Sequence, residues 1–296
     1  MNRLRADLLL LLTALIWGTA FIAQKDANHS MGPISFVGAR FLLSALVLLP
    51  LMLYELRRGH PPLTRKDWLQ ATVVGLCLCA GSCLQQAGLV TTSATNGGFL
   101  TALYVVIVPF MVWGLNRTRP RLLVIAACVV SIAGAWLLTD DGSTRHWSFG
   151  DLLVVLADFA WALAITLIAD FLQRTHRPFF LSFVQYGITA VLGLGAGFLF
   201  EPVSLSGVGV AMPAILYAGL LSGGVAFTLS VIAQKYTPPA EASLIMCLES
   251  VFAALAGAVM LHERLTLLAA AGCGLILLGV VMVEIGPALM RGIRAA

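Results

Sequence analysis

The chain has 296 residues, 59% of them hydrophobic and 11% charged, with a net charge of +4 and a mean hydropathy of +0.94. Soluble proteins carry roughly a quarter charged residues, and a domain of this size has no interior large enough to hide so much apolar side chain from water. A water-soluble enzyme and a disordered chain are therefore excluded. So is a nucleic-acid partner, because the basic residues fall in short loops and not on one stripe.

The N-terminal stretch Asn2-Arg3-Leu4-Arg5, followed by Leu8 to Ala23, fits a basic-start leader peptide and also a first spanning helix. The second reading gives a span over 7–24, in which Trp17 and Phe21 share one face and Gly18 permits a bend. These rings would form an aromatic wall for an apolar substrate or would serve helix packing. The second run, 33–54, starts at Pro33 and contains Arg40, roughly 10 Å from the helix end at 1.5 Å per residue. A charge at that depth faces a substrate carboxylate or an internal acid, or it is a structural charge that bonds helix-end carbonyls or snorkels outward. Phe36 and Ser44 share its face.

The third and fourth runs, 68–89 and 95–115, are flanked by Ser82, Gln85, Asn96 and Thr101, neutral groups that can line a cavity or bond helix to helix. Tyr104 joins these candidates. Gly97, Gly98 and Pro109 mark the fourth run as a bending element. A fifth run, 120–138, precedes a polar break.

The sixth run, 150–172, holds Asp158 one turn before Trp161. A carboxylate at that depth demands a partner, a wet cavity or a bound proton, and Arg40 is a candidate ion-pair partner. The seventh and eighth runs, 178–200 and 211–236, carry Gln185, Tyr186 and Tyr217. They also contain Gly193, Gly197, Gly219 and Gly223 at four-residue spacing, which suits close helix approach. The ninth run, 240–261, buries Glu249, able to carry a proton, hold an ammonium group or tie helices together. A tenth run covers 266–285. Strand alternation is absent, so the expected fold is an all-α integral membrane protein with ten transmembrane helices.

The six cysteines, Cys77, Cys79, Cys83, Cys128, Cys247 and Cys273, all lie in apolar runs. Their spacing matches no zinc pattern, so they read as packing residues and no metal is expected. The histidines (His29, His60, His146, His176 and His262) all read as loop residues, which leaves no nucleophile, base or metal set for an enzyme.

Basic residues orient the spans. With the N-terminus in the cytosol, fourteen of them fall on the cytosolic side: Arg3, Arg5, Arg57, Arg58, Arg65, Lys66, Arg117, Arg119, Arg121, Arg174, Arg177, Lys235, Arg291 and Arg294. Only Lys25, Arg145 and Arg264 fall opposite, and both termini are then cytoplasmic. The two halves, 1–142 and 143–296, resemble each other at an offset of about 145 residues. Ala87–Leu103 aligns with Ala233–Glu249, and Trp17 with Trp161. Five helices per copy is an odd number, so the second copy inserts upside down, a plan recurrent in secondary transporters.

Trp17-Gly18-Thr19-Ala20-Phe21, Pro33…Arg40-Phe41-Leu42 and Thr92-Ser93-Ala94 through Gly98-Phe99-Leu100…Pro109 carry a resemblance that the second half repeats. There it rests on Leu248-Glu249-Ser250-Val251-Phe252-Ala253-Ala254-Leu255 and His262-Glu263-Arg264-Leu265. Over nearly its whole length the chain resembles the ten-helix EamA-type exporters of the drug/metabolite transporter superfamily, and among them the YddG-type amino-acid exporters. Ser250 stands where the family has proline and His262 where it has glycine, which suggests a softer bend in helix nine.

The resemblance implies a central cavity lined by helices one, three, four, six, eight and nine, with helices five and ten peripheral. It also implies export of small metabolites, foremost aromatic or apolar amino acids, across the bacterial inner membrane by alternating access. No G-x-x-x-x-G-K-[ST] loop is present, and no cofactor is expected. The expected partners are the small-molecule substrate and the lipid bilayer, with monomer and homodimer both open. A drug or nucleotide-sugar carrier is the alternative within the superfamily, and an ion channel the alternative outside it.

Overall fold

The computed structural model describes residues 1–59, 61–138, 148–202, 204–260 and 266–295. Arg145, Arg264, His60, His146, the His262-Glu263-Arg264-Leu265 motif and the 142/143 boundary lie outside the described residues, as do the side chains of Arg291 and Arg294. All regular elements among those described are helical. Eight helical stretches are long and apolar enough to cross a membrane, and Leu122–Leu137 and Leu267–Val283 are shorter apolar helices.

In chain order the helices are α1 (Arg3–Ala27), α2 (Pro33–Leu56), α3 (Arg65–Gly88), α4 (Ala94–Thr101), α5 (Tyr104–Asn116), α6 (Leu122–Leu138), α7 (Phe149–Thr175) and α8 (Pro178–Phe200). They continue with α9 (Leu205–Leu216), a π-helical stretch over Tyr217–Phe227, α10 (Thr228–Ala233), α11 (Pro239–Met246), α12 (Glu249–Met260) and α13 (Leu267–Ala295). Local chemistry explains the starts. Pro33, Pro178 and Pro239 occupy first-turn positions, where a missing N–H costs nothing. Thr64 with Asp67 and Ser148 with Asp151 form capping boxes at α3 and α7, each satisfying two first-turn donors. Left-handed residues Arg117 (φ 57°) and His176 (φ 58°) end α5 and α7.

Three pairs of equivalent features relate the halves. The eight-residue α4 and the eight-residue α11 are each followed by a two-residue break, at Ala102–Leu103 and Cys247–Leu248, and then by α5 and α12. At both breaks N–H groups bond three residues back, as in Leu103 N to Leu100 O and Leu248 N to Ile245 O. Second, Thr92 Oγ1 donates to Asp151 Oδ1 at 2.7 Å, and Thr237 Oγ1 donates to Asp7 Oδ1 at 2.7 Å.

Third, Glu55 at the end of α2 accepts the N–H groups of Phe179 and Phe180 that open α8, at 3.2 and 2.7 Å. Glu201, just past α8, accepts those of Ile34 and Ser35 that open α2, at 2.9 and 2.8 Å. These equivalent helices therefore lie antiparallel, and the two copies are inverted.

Glycine makes that pairing close: Gly193 faces Gly38, and Gly197 faces Ser35. Gly219 and Gly223 seat the π-helical stretch on α2 at Arg40 and Ser44. At the flank of the bundle α6 packs on α13, joined by Ala127, Cys128 and Ile276 in a core that also takes in Leu100 and Val251. Outward faces are apolar, with Phe198 and Leu267 at 80% and 91% exposure, as surfaces that meet lipid tails must be.

The apolar run expected to begin at residue 211 begins at Leu205. The interruption in the fourth span falls between Gly98 and Pro109, and both Gly97-Gly98 and Pro109 lie inside helices. In the ninth span the break forms with Ser250 and without a proline at that position. Ser250 Oγ there donates to Cys247 O at 3.0 Å and to Gly98 O at 3.2 Å, which ties the two interrupted spans together.

Candidate functional site

A cavity of about 60 Å³ lies between the two halves, room enough for ordered water in this conformation. Its wall combines three chemistries. One is a cation: Arg40 from α2, buried with its guanidinium 4.9 Å from the Phe41 ring and 5.8 Å from the Phe36 ring. Burial at 2% exposure overturns the snorkelling reading. Cation–π contact lowers the cost of holding this charge, yet its Nε has no hydrogen-bond acceptor.

The second is aromatic. Phe227, at the end of the π-helical stretch, packs 4.5 Å from Trp17 and 5.7 Å from Trp161, the latter stacked. Trp17 and Trp161 thus stand in opposite repeats with Phe227 between them, and Phe21 extends this wall.

The third is an uncharged and acidic polar lining. Gln85 Nε2 donates to Thr101 Oγ1 at 2.9 Å, and that hydroxyl donates to Gly97 O at 2.7 Å. Glu249, the first residue of α12, faces Tyr104, the first residue of α5, without a well-formed hydrogen bond between them. Glu249 Oε1, Tyr104 Oη, Trp161 Nε1, Gln185 Nε2 and Gln24 Oε1 are buried without partners. Buried polar atoms are paired in the great majority of native structures, so these groups leave the cavity wall with unused donors and acceptors.

The π-helical stretch is part of this wall. Widening a helix to a π turn leaves its carbonyls poorly aligned, and neighbours supply donors. Trp17 Nε1 donates to Ser222 O (3.2 Å), Thr13 Oγ1 to Ala226 O (3.1 Å) and Ser44 Oγ to Gly219 O (2.8 Å). Trp17 therefore has one atom in the scaffold and its ring on the cavity.

Of the residues singled out in the sequence, Trp17, Phe21, Arg40, Gln85, Thr101, Tyr104, Trp161 and Glu249 meet at this cavity. Four others stand elsewhere. Tyr217 turns to a separate cleft, its hydroxyl 2.5 Å from Thr19 Oγ1. Asn96 sits in the first turn of α4, where its N–H is capped by Ser93. Ser82 is buried away from the wall.

Asp158 lies behind the wall at 0% exposure, with neither oxygen partnered, so the ion pair with Arg40 does not form. Gly18 packs against Glu249 O and Ala253 N, a close crossing of α1 and α12. The wall also takes Arg40 from the second span and Gln185 from the seventh, beyond the six spans expected. Gln24, Phe227, Ser230 and Gln234 were not singled out, although Phe227 and Ser230 match Ser82 and Gln85 at the repeat offset (82 to 227, 85 to 230).

The sequence profile of the EamA-like transporter family matches residues 4–140 and again residues 148–285. An uncharacterized transporter of Archaeoglobus fulgidus is 30% identical over 285 residues, which cover 96% of this chain and 87% of that protein. The uncharacterized transporter YwfM of Bacillus subtilis is 26% identical, with 98% and 97% covered. The uncharacterized inner membrane transporter YedA of Escherichia coli is 24% identical, with 92% and 88% covered. A solved crystal structure shares the fold with a TM-score of 0.79 over 96% of this chain and 98% of that chain, at 19% identity.

Proposed function

Because this chain belongs to the EamA-like transporter family, we propose that it is a secondary carrier that exports zwitterionic small metabolites by alternating access. Amino acids with aromatic or apolar side chains are the leading substrates. The membrane is the bacterial inner membrane, with both termini in the cytosol, as the distribution of basic residues favours.

The observation that carries this reading is Arg40. It is a buried cation on the cavity wall with no acidic partner among the described residues. A guanidinium in that position suits a planar carboxylate, which it can grip with two hydrogen bonds. The rings of Trp17, Phe227 and Trp161 offer a surface for an apolar side chain, and Glu249 offers a counter-charge for an ammonium group.

A nucleotide-sugar carrier would call for several cations around the diphosphate, and among the described residues Arg40 is the one basic residue of this wall. Inverted repeats with interrupted helices at the centre support an exchange of two similar conformations around a shared site.

Purified protein in liposomes preloaded with one unlabelled amino acid should take up a labelled one by saturable counterflow, tested first with L-phenylalanine, L-tryptophan and L-leucine. Uptake equal to that of protein-free liposomes for every zwitterion of such a panel would defeat the proposal.

A further inference from the structure

Glu249 and Asp158 come from different helices of the second repeat, α12 and α7, and interact electrostatically. Glu249 reaches the cavity, whereas Asp158 is sealed behind its wall. Both Asp158 oxygens and Glu249 Oε1 lack hydrogen-bond partners. The titratable groups around the pair are Tyr104 of α5, Cys247 at the break before α12 and, beyond it, Cys128 of α6. None of these is a cation, and no lysine, arginine or histidine among the described residues pairs with either acid.

Two neighbouring carboxylates in a dry interior without donors would each bear an uncompensated desolvation cost of several kcal/mol. Glu249 has relief at hand, because it touches the cavity. Asp158, in mid-helix and fully buried, has none.

We propose that Asp158 and Glu249 together form the binding site of a coupling proton, held on Asp158 behind the substrate cavity and exchanged with cavity water through Glu249. A proton enters from water on the side to which the cavity opens, passes from the Glu249 carboxyl to the Asp158 carboxylate, and leaves by the same route on the other side. No bond to substrate is made or broken. This rests on the carrier reading and adds to it a driving ion and two residues with separate tasks.

Two measurements test it. Infrared titration of purified protein in lipid should show a protonated-carboxyl C=O band that Asp158→Asn removes. An imposed pH gradient should accelerate net L-phenylalanine movement in wild-type liposomes, and Asp158→Asn and Glu249→Gln should each lose that acceleration. Where Asp158→Asn does not fold, Asp158→Glu replaces it and must shift the band.

An unshifted or undiminished band, or a pH response that survives in the folded variants, overturns the proton site. So does acceleration by a sodium gradient in place of a pH gradient. Wild-type counterflow at symmetric pH tests the carrier reading separately, so the proton site can fail while the carrier stands.

Discussion

Tyr104 and Glu249 hold the same position in the two repeats, each the first residue after the break in its span, and they face each other across one cavity. The pseudo-symmetry places both at the centre, and their chemistry breaks it. A phenol stands in one copy where a carboxyl stands in the other. Arg40 and Gln185 repeat the pattern, with the cation in the first copy and the neutral amide in the second (40 to 185). The cavity is therefore electrically polar along a line joining the copies, an arrangement that suits the proposed zwitterionic substrates.

Arg40→Gln should weaken binding of carboxylate substrates. Loss of a charge-assisted contact is worth about 1.5–3 kcal/mol, or roughly a 10- to 150-fold rise in KM. The informative comparison is L-phenylalanine against phenethylamine, which lacks the carboxylate. Wild type should prefer the amino acid and the variant should not. A preference that survives in Arg40→Gln would show that the carboxylate is bound elsewhere.

The spans and the repeat were legible because they are properties of composition and spacing. Twenty-residue apolar runs, proline at helix starts and a fixed offset persist whatever the packing. The direction of a buried polar group does not follow from such patterns, since a helix face has meaning only against its neighbours. Asp158 and Glu249 look alike in sequence, yet one reaches the cavity and the other is walled off. Tyr217 and Phe227 begin and end a π-helical stretch, where the wider turn changes which residues share a face, so ordinary helical spacing misplaces Tyr217 and passes over Phe227.

Trp17→Phe keeps a ring in the cavity and deletes the donor to Ser222 O. The π-helical stretch should lose about 1 kcal/mol of local stability. Hydrogen exchange by mass spectrometry in lipid nanodiscs should show faster exchange over Tyr217–Phe227 with little change in α8. Equal protection in both proteins would mean that the indole N–H has no part in holding that stretch.

Close packing of α2 on α8 gives a matched pair of substitutions on one helix. A Cβ at Gly197 would lie 2.8 Å from Ser35 Cα and 2.9 Å from Ser35 N, whereas one at Gly195 meets nothing within 4 Å. Backbone atoms cannot yield as a side-chain end can. Gly197→Ala should cost about 1–3 kcal/mol, and Gly195→Ala should be neutral or slightly stabilising. Thermal unfolding in detergent distinguishes them, and equal midpoints would contradict the packing described.

Glu55 and Glu201 cap opposite ends of the same antiparallel pair, and each accepts two backbone N–H groups. Replacing either with alanine returns those donors to an unsatisfied state, at a cost of about 0.5–2 kcal/mol each. Each helix is 23 or 24 residues long, so the caps stand about 35 Å apart at the helical rise. At that distance the two losses should add to within about 0.5 kcal/mol in the double variant.

Strict additivity would mean that each cap fixes only its own end. A larger coupling would reveal that α2 and α8 shift as one rigid body, so that freeing one end already relaxes the other. Denaturation midpoints of the two single variants and the double variant distinguish these outcomes. The fold as described, with close glycine contacts along the pair and independent carboxylate locks at its two ends, requires the additive one.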